Sequence, residues 1–267
     1  MDTSDLAKRM KRYESVYDYK LMNRSVVILR LDGRSFHTFT KGFKRPYDDI
    51  LITAMQETAK YLCGHIQNAV MSYQQSDEIS IVLVDYDDIN KGTFFDNRVQ
   101  KLCSITASMA TLMFNRIFSN DVTEYIFNDD NKNEKHLMNN IYTKALNKGA
   151  MFDCRAFNLP KDEVANYFYW RQLDATRNSI NMVGQVYFSH KELQNKTCND
   201  IQDMLISQKN INWNNYPTYF KRGSCCVKRV VNINQLGHEW IVDNEIPIFK
   251  NNGRKYINER IFYMDGE

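Results

Sequence analysis

The stretch SVVILRL, residues 25–31, is a short apolar run rich in β-branched side chains, and it reads as a buried strand. It stops abruptly on Asp32 and Gly33. From Asp48 to His65 the apolar positions Leu51, Ala54, Met55, Thr58 and Leu62 step by three and four, the period of an amphipathic helix. NAVMSYQQ (68–75) and ISIVLVDY (79–86) read as two strands separated only by Ser76, Asp77 and Glu78, which is hairpin spacing. A second long helix is expected from about Phe95 to Phe118, with Leu102, Ile105, Met109, Leu112 and Met113 as its buried stripe. MFDCRAFNL (151–159) alternates like a strand. Strand, helix, strand, strand, helix, strand is the split βαβ order, so the chain is expected to be an α+β protein with a ferredoxin-like core.

The remainder is expected to extend that core. The polar segment 128–140 reads as a loop or insertion, 161–182 and 199–209 as helices, and 224–233 with 239–249 as a terminal β-hairpin. No internal repeat or linker is visible. The reading is residues 1–157 as the catalytic core and 158–267 as a helical and β extension packed on it, within one compact domain of 267 residues.

Composition narrows the function classes. A net charge of +3 permits nucleic-acid binding without demanding it. The six cysteines form no CxxC pair, so a zinc framework is not expected and free thiols in a reducing compartment are. Adjacent Cys225 and Cys226 should face opposite sides of a strand. The first 18 residues are charged and lack an apolar leader core, and no run approaches a membrane span. A cytoplasmic protein with no membrane partner is the expectation.

The acids carry the chemistry. The topology puts Asp32 at the end of one strand and Asp77 and Glu78 in a hairpin turn beside it. Converging carboxylates suit Mg²⁺, which keeps waters and takes substrate phosphates as its other ligands, and two such ions suit phosphoryl transfer. Gly33 allows close backbone approach, and successive N–H groups of the segment DGRSF can form an anion nest. Lys44, Arg45, Arg98 and Lys101 would offset triphosphate charge. Taken alone, each motif has a plainer reading: a turn after a strand, a solvated hairpin tip, a packing role for His37, a basic edge in CCVKR.

RLDGRSFHTFT with FKRPYD (31–48), YQQSDEISIVL (73–83), the R-x-x-K-x-x-S-x-x-A-S run (98–108), FDCRAF (152–157), YWRQLDATRNSIN (169–181) and INWNNYPTYFKRG (211–223) together resemble the tRNA-His guanylyltransferase family, and within it the guanylyltransferase-like branch of 3′–5′ polymerases that repairs tRNA. The resemblance implies a polymerase palm, usually assembled as a homotetramer, acting on tRNA and nucleoside triphosphates with two Mg²⁺ ions and with ATP or GTP to activate the RNA 5′ end. It implies metal binding by Asp32, Asp77, Glu78 and the Gly33 carbonyl. It places the nucleotide against Gly33, Arg34, Ser35, Phe36, His37 and Ser76, with Asp48 facing the purine, although a short deletion precedes Asp48 here. Arg98, Lys101 and Ser104 would hold the triphosphate of the activating nucleotide, and Asn178, Lys221 and Arg222 would contact RNA. One departure matters. Enzymes dedicated to tRNA-His carry H-I-N-N-L-Y-N where this chain has Thr176, Arg177, Asn178, Ser179, Ile180, Asn181 and Met182. That favours templated addition to 5′-truncated tRNAs. The alternatives are addition of one guanosine to tRNA-His, an inactive RNA-binding scaffold, and a palm-type nucleotide cyclase.

Overall fold

The computed structural model describes residues 3–128, 132–232 and 237–262. In chain order the helices and strands are α1 (Asp5–Ser15), β1 (Val26–Gly33), α2 (Phe36–Phe39), α3 (Asp49–His65), β2 (Ala69–Gln75), β3 (Glu78–Leu83), α4 (Val99–Asn128), α5 (Lys132–Lys148), β4 (Phe152–Leu159), α6 (Lys161–Tyr187), α7 (His190–Leu193), α8 (Cys198–Lys209), α9 (Thr218–Arg222), β5 (Ser224–Asn232), β6 (Gly237–Asp243) and α10 (Arg254–Ile261).

One antiparallel sheet organises them, in the order β4-β1-β3-β2-β5-β6. The first four strands give the ferredoxin-like order expected from the sequence. The terminal hairpin does not stand apart, because β5 pairs with β2 and lengthens the same sheet. Alternate residues of β1 explain its unbroken apolar run, since both of its faces are covered. Val27, Leu29 and Leu31 face α3 and α4, packed with Ile79, Ile81, Met55, Leu62, Phe114 and Phe118. Val26 and Ile28 face α6 and α10, packed with Tyr73, Val82, Phe168, Phe249 and Ile257. Cys226 joins the first cluster and Cys225 the second, so the adjacent thiols do point to opposite faces. All six cysteines are free, three buried and three half-buried. A smaller cluster of Ile180, Val183, Ile201, Leu205 and Trp213 fastens α8 to the far half of α6.

Several expectations are corrected. The segment 132–140 is not a loop; it opens α5. Met138, Ile141, Tyr142 and Ala145 keep helical spacing and pack on the core, so period outweighs polar composition there. Residues 129–131 lie outside the described residues. Helix α4 starts later and runs further than expected, after a tight turn in which Phe95, Asp96 and Asn97 have positive φ. Its buried stripe is Leu102, Thr106, Ala110, Phe114, Phe118 and Val122, while Ile105 is exposed and Leu112 is 71% exposed. The Phe114 and Phe118 rings, meeting Phe39 at 5.8 and 5.4 Å, set which face turns inward. The last strand ends at Asp243, not at 249: Glu245 N–H donates to the Asp243 carboxylate at 2.9 Å and turns the chain away. Among the described residues no helix is long and apolar enough to cross a membrane.

Gly223 joins α9 to β5 at φ +85°, and a Cβ there would lie 2.4 Å from the Gln74 carbonyl oxygen. Gly223→Ala is therefore expected to cost about 2 kcal/mol or more, from backbone strain and a clash with the β2 main chain. The measurement is the urea unfolding midpoint, and an unchanged midpoint contradicts it.

Candidate active site

The strand pairing builds the site. Asp32 lies directly across from Glu78 in the β1–β3 register, and Gln75 pairs with Glu78 in the β2–β3 register. Directly paired residues share a face, so Asp32, Glu78 and Gln75 form one row at the end of the sheet. Ser76 and Asp77 make the turn, with Ser76 at φ +49°. The Gly33 N–H donates to the Asp77 carbonyl at 3.1 Å, which ties the turn to the end of β1.

The segment after Asp32 is anchored from behind by aromatic rings. Phe36 meets Phe39, Phe152 and Phe114 at centroid distances of 5.1, 5.2 and 5.6 Å. That packing explains Gly33: a Cβ would sit 2.2 Å from the Phe36 ring. The close approach at Gly33 is thus made by a side chain of the protein. Ser35, at φ +55°, caps the one-turn helix α2. Non-glycine residues in this conformation carry local strain, and here one flanks each of the two acids.

Asp32 and Asp77 line the same cavity, of about 550 Å³, together with Gly33, Ser35, Phe36, His37, Lys44, Arg45, Asp48, Ser76 and Asn178. Among the rest of its wall, Gln74, Gln75, Tyr47, Tyr219, Phe220, Ser179, Met182 and Gln185 were not anticipated. Three of these, Ser179, Met182 and Gln185, come from α6, as does Asn178. The tyrosine and phenylalanine side had a weak signal in the aromatic-rich segment YPTYF.

Glu78 is held elsewhere. It is the first residue of β3, not part of the turn, and its carboxylate pairs with Arg30 and with Arg171 Nε at 3.3 Å. Arg171 also donates to Asp174 at 2.6 Å, and Asp174 pairs in turn with Arg177. The exposed Trp170 ring lies 4.1 Å from the Arg171 guanidinium carbon. Glu78 is not among the residues that line the cavity.

Asp48 reaches the cavity wall but its carboxylate is already used. At 3% exposure it accepts from Leu51 N–H at 3.1 Å, Lys44 N–H at 3.1 Å and the Tyr142 hydroxyl at 2.8 Å. It caps α3, the ordinary task of an aspartate just before a helix. Arg45 donates to Gln185 at 3.3 Å, and the Lys44 ammonium lies 4.9 Å from the Tyr125 ring centre. His37 is exposed beside the Thr38 hydroxyl at 3.0 Å.

Six other anticipated residues fall outside the cavity. Arg34 is exposed, and among the described residues it bonds through its backbone N–H to the Met151 carbonyl at 2.8 Å. Arg98, Lys101 and Ser104 lie along the start of α4, with Arg98 paired to Asp18 at 3.3 Å. Lys221 turns inward: its ammonium donates to the Asn214 carbonyl at 2.5 Å and lies over Trp213, and burial lowers its pKa. The Arg222 carbonyl accepts from the Tyr73 hydroxyl at 2.6 Å.

Electrostatics sets Asp77 apart. Burial pushes its carboxyl from an ordinary 3.8 up to about 6, and the nearby charges of Asp32 and Glu78 add to the shift against hydrogen bonds from its own backbone and Ser76. Desolvated negative charge of this kind favours a bound cation. Among the described residues no group of three His, Cys, Asp or Glu side chains is gathered to hold a metal alone. The donor set still fits Mg²⁺, which binds through one or two carboxylates and completes its shell with water and substrate phosphates.

The family model for tRNAHis guanylyltransferase matches residues 7–160. A solved bacterial tRNA(His) guanylyltransferase-like protein in complex with ATP is 42% identical, with a TM-score of 0.81 covering 97% of this chain and 100% of that one. Its counterpart in complex with GTP is 40% identical with a TM-score of 0.78, over 97% of this chain and 100% of that one. The tRNA(His) guanylyltransferase of Saccharomyces cerevisiae is 26% identical over 81% of this chain and 89% of its own length.

Because the folded protein binds the Asp77 proton more tightly than the unfolded chain, metal-free stability should fall as pH rises from 3.8 to about 6. Asp77→Asn is expected to flatten that slope and to raise stability at pH 7. Urea midpoints across this pH range, in chelator, check it; identical slopes for both proteins contradict it.

Proposed function

Since the chain belongs to the tRNAHis guanylyltransferase family and is a nucleotidyltransferase, we propose that it adds nucleotides in the 3′–5′ direction to the 5′ ends of truncated tRNAs, guided by base pairing with the opposing strand. The observation that carries the proposal is the convergence of Asp32 and Asp77 on one cavity with Gly33 and the Ser35–His37 segment. An RNA 5′ monophosphate first attacks the α-phosphorus of ATP or GTP, forming a 5′–5′ pyrophosphate linkage and releasing pyrophosphate, or the RNA arrives as a triphosphate. The 3′-hydroxyl of the incoming nucleotide then attacks the 5′ phosphorus, a new phosphodiester forms, and the nucleoside monophosphate or pyrophosphate leaves.

Asp32, Asp77 and the Gly33 carbonyl would hold Mg²⁺, which when bound supplies charge to acidify the attacking hydroxyl and to neutralise the leaving phosphate. Ser35, Phe36, His37 and Ser76 shape the wall for the nucleotide triphosphate, and Lys44 and Arg45 offset its charge. Glu78 acts from behind: held by Arg30 and Arg171, it fixes the strand that follows Asp77. Arg98, Lys101 and Ser104, outside the cavity, are assigned to the activating nucleotide, and Asn178 and Arg222 to RNA. The catalytic core is residues 1–157 with 158–267 packed against it, the assembly is a homotetramer, and the location is the cytoplasm. Positioning and charge, with no covalent protein intermediate, supply the rate.

Two observations favour repair over addition of a single guanosine at position −1 of tRNA-His. Asn178, Ser179 and Met182, inside the stretch that departs from the dedicated enzymes, face the cavity. The bacterial guanylyltransferase-like protein also shares more of this chain's residues than the yeast enzyme does. The name of the yeast relative supports the second reading.

Extension of a labelled panel of 5′-truncated tRNAs and intact tRNA-His, with each nucleoside triphosphate, separates them. Truncated tRNAs are expected to be extended with the templated nucleotide; marked preference for intact tRNA-His overturns the choice. Asp32→Ala is expected to lower extension by at least about 100-fold while circular dichroism and tRNA binding stay near wild type. Near-wild-type extension by this variant contradicts the site.

A further inference from the structure

Two neighbouring glutamines on β2 are equally buried, each 5% exposed, and both border the cavity. Both ends of the Gln74 amide are engaged. Its Nε2 donates to the Ser76 carbonyl at 2.9 Å, and its Oε1 accepts from the Ser224 hydroxyl at 3.3 Å. Gln75 differs: among the described residues its side-chain amide has no hydrogen-bond partner, although its neighbour Gln74 and the nearby Glu78 are both satisfied. The residue is buried, but its amide atoms are not among the buried unsatisfied groups of the described residues, so the amide opens on the cavity, where it is available to a bound molecule.

We propose that Gln75 is a specificity-determining residue that recognises the ribose 2′-hydroxyl of the incoming nucleoside triphosphate. The inference rests on the nucleotidyltransferase reading of this cavity. Gln75 stands in register with Glu78, which stands in register with Asp32, so it lies in the same row two strands from Asp32 and next to the turn that carries Asp77. The other parts of the wall have chemistries of their own. Lys44, Arg45 and the Ser35–His37 segment suit phosphate, and the Tyr47, Tyr219 and Phe220 side, with Tyr47 and Phe220 centroids 4.8 Å apart, suits the flat face of a base. The sugar lies between base and phosphate. A phosphate oxygen only accepts and would leave the amide oxygen of Gln75 unpaired. A ribose hydroxyl donates and accepts, which matches an amide that offers both. With the 3′-hydroxyl directed at Asp32 and Asp77 for attack, the adjacent 2′-hydroxyl is the one that remains for Gln75.

The test compares GTP with 2′-deoxy-GTP as the added nucleotide, using the full chain, Gln75→Ala, and Gln75→Met, which keeps side-chain bulk. The wild type is expected to prefer the ribonucleotide in kcat/KM by about ten-fold. Both variants should bring the two substrates within about two-fold of each other, chiefly by raising KM for GTP, with 2′-deoxy-GTP little changed. Equal use of both nucleotides by the wild type, a preserved preference in either variant, or an equal loss for both substrates overturns the assignment. A wild type that adds neither nucleotide to any RNA overturns the reading of the cavity itself.

Discussion

Everything at the site depends on how three carboxylates are accommodated at one end of a sheet. The β1–β3 register sets Asp32 against Glu78, and a two-residue turn adds Asp77. Burying such a group without compensation is unfavourable. The fold compensates one of them fully, by Arg30 from β1 and Arg171 from α6. It leaves Asp32 and Asp77 on the cavity, and the raised pKa of Asp77 records the uncompensated charge. Arg171 ties α6 to β3 through Glu78, and along α6 it also pairs with Asp174, which in turn meets Arg177. Helix α6 is thereby connected to the strand that follows Asp77.

Packing supplies the precision that the ion pairs alone do not. The rings of Phe36, Phe39, Phe114, Phe118 and Phe152 form one continuous cluster behind the segment that follows Asp32. Gly33 admits the Phe36 ring, and Asp48 locks the start of α3 to the preceding loop and to Tyr142 of α5. Helix α5 is therefore part of the support for the cavity wall. Strand β5 closes the other side through Ser224 and Gln74.

Local order was legible where periodicity is strong. The β1 run, the three-and-four stepping of α3, the hairpin and the β4 alternation led to the strand order found. The sequence also placed Asp32 beside the 76–78 turn, because the topology leaves few other arrangements. It did not disclose side-chain partners set by residues far apart in the chain. Glu78 reads like a third ligand until Arg171, 93 positions later, is seen to hold it. Lys221 reads as basic surface until Asn214 and Trp213 are seen to draw it inward. Asp48 reads as a base contact until its three donors are counted. Gln74 and Gln75 are identical letters, and only the fold separates the bonded amide from the free one. The polar opening of α5 concealed the apolar spacing of Met138, Ile141 and Tyr142 just beyond it.

The central claim is that the arginines withdraw Glu78 and leave Asp32 and Asp77 to bind the catalytic ions. Anomalous diffraction from crystals grown with Mn²⁺ and GTP tests it directly. The account predicts a pair of Mn²⁺ peaks at Asp32 and Asp77 beside the nucleotide phosphates, with Glu78 still paired to Arg30 and Arg171. Peaks remote from Asp32 and Asp77, or Glu78 released from both arginines to ligate the metal, would contradict it.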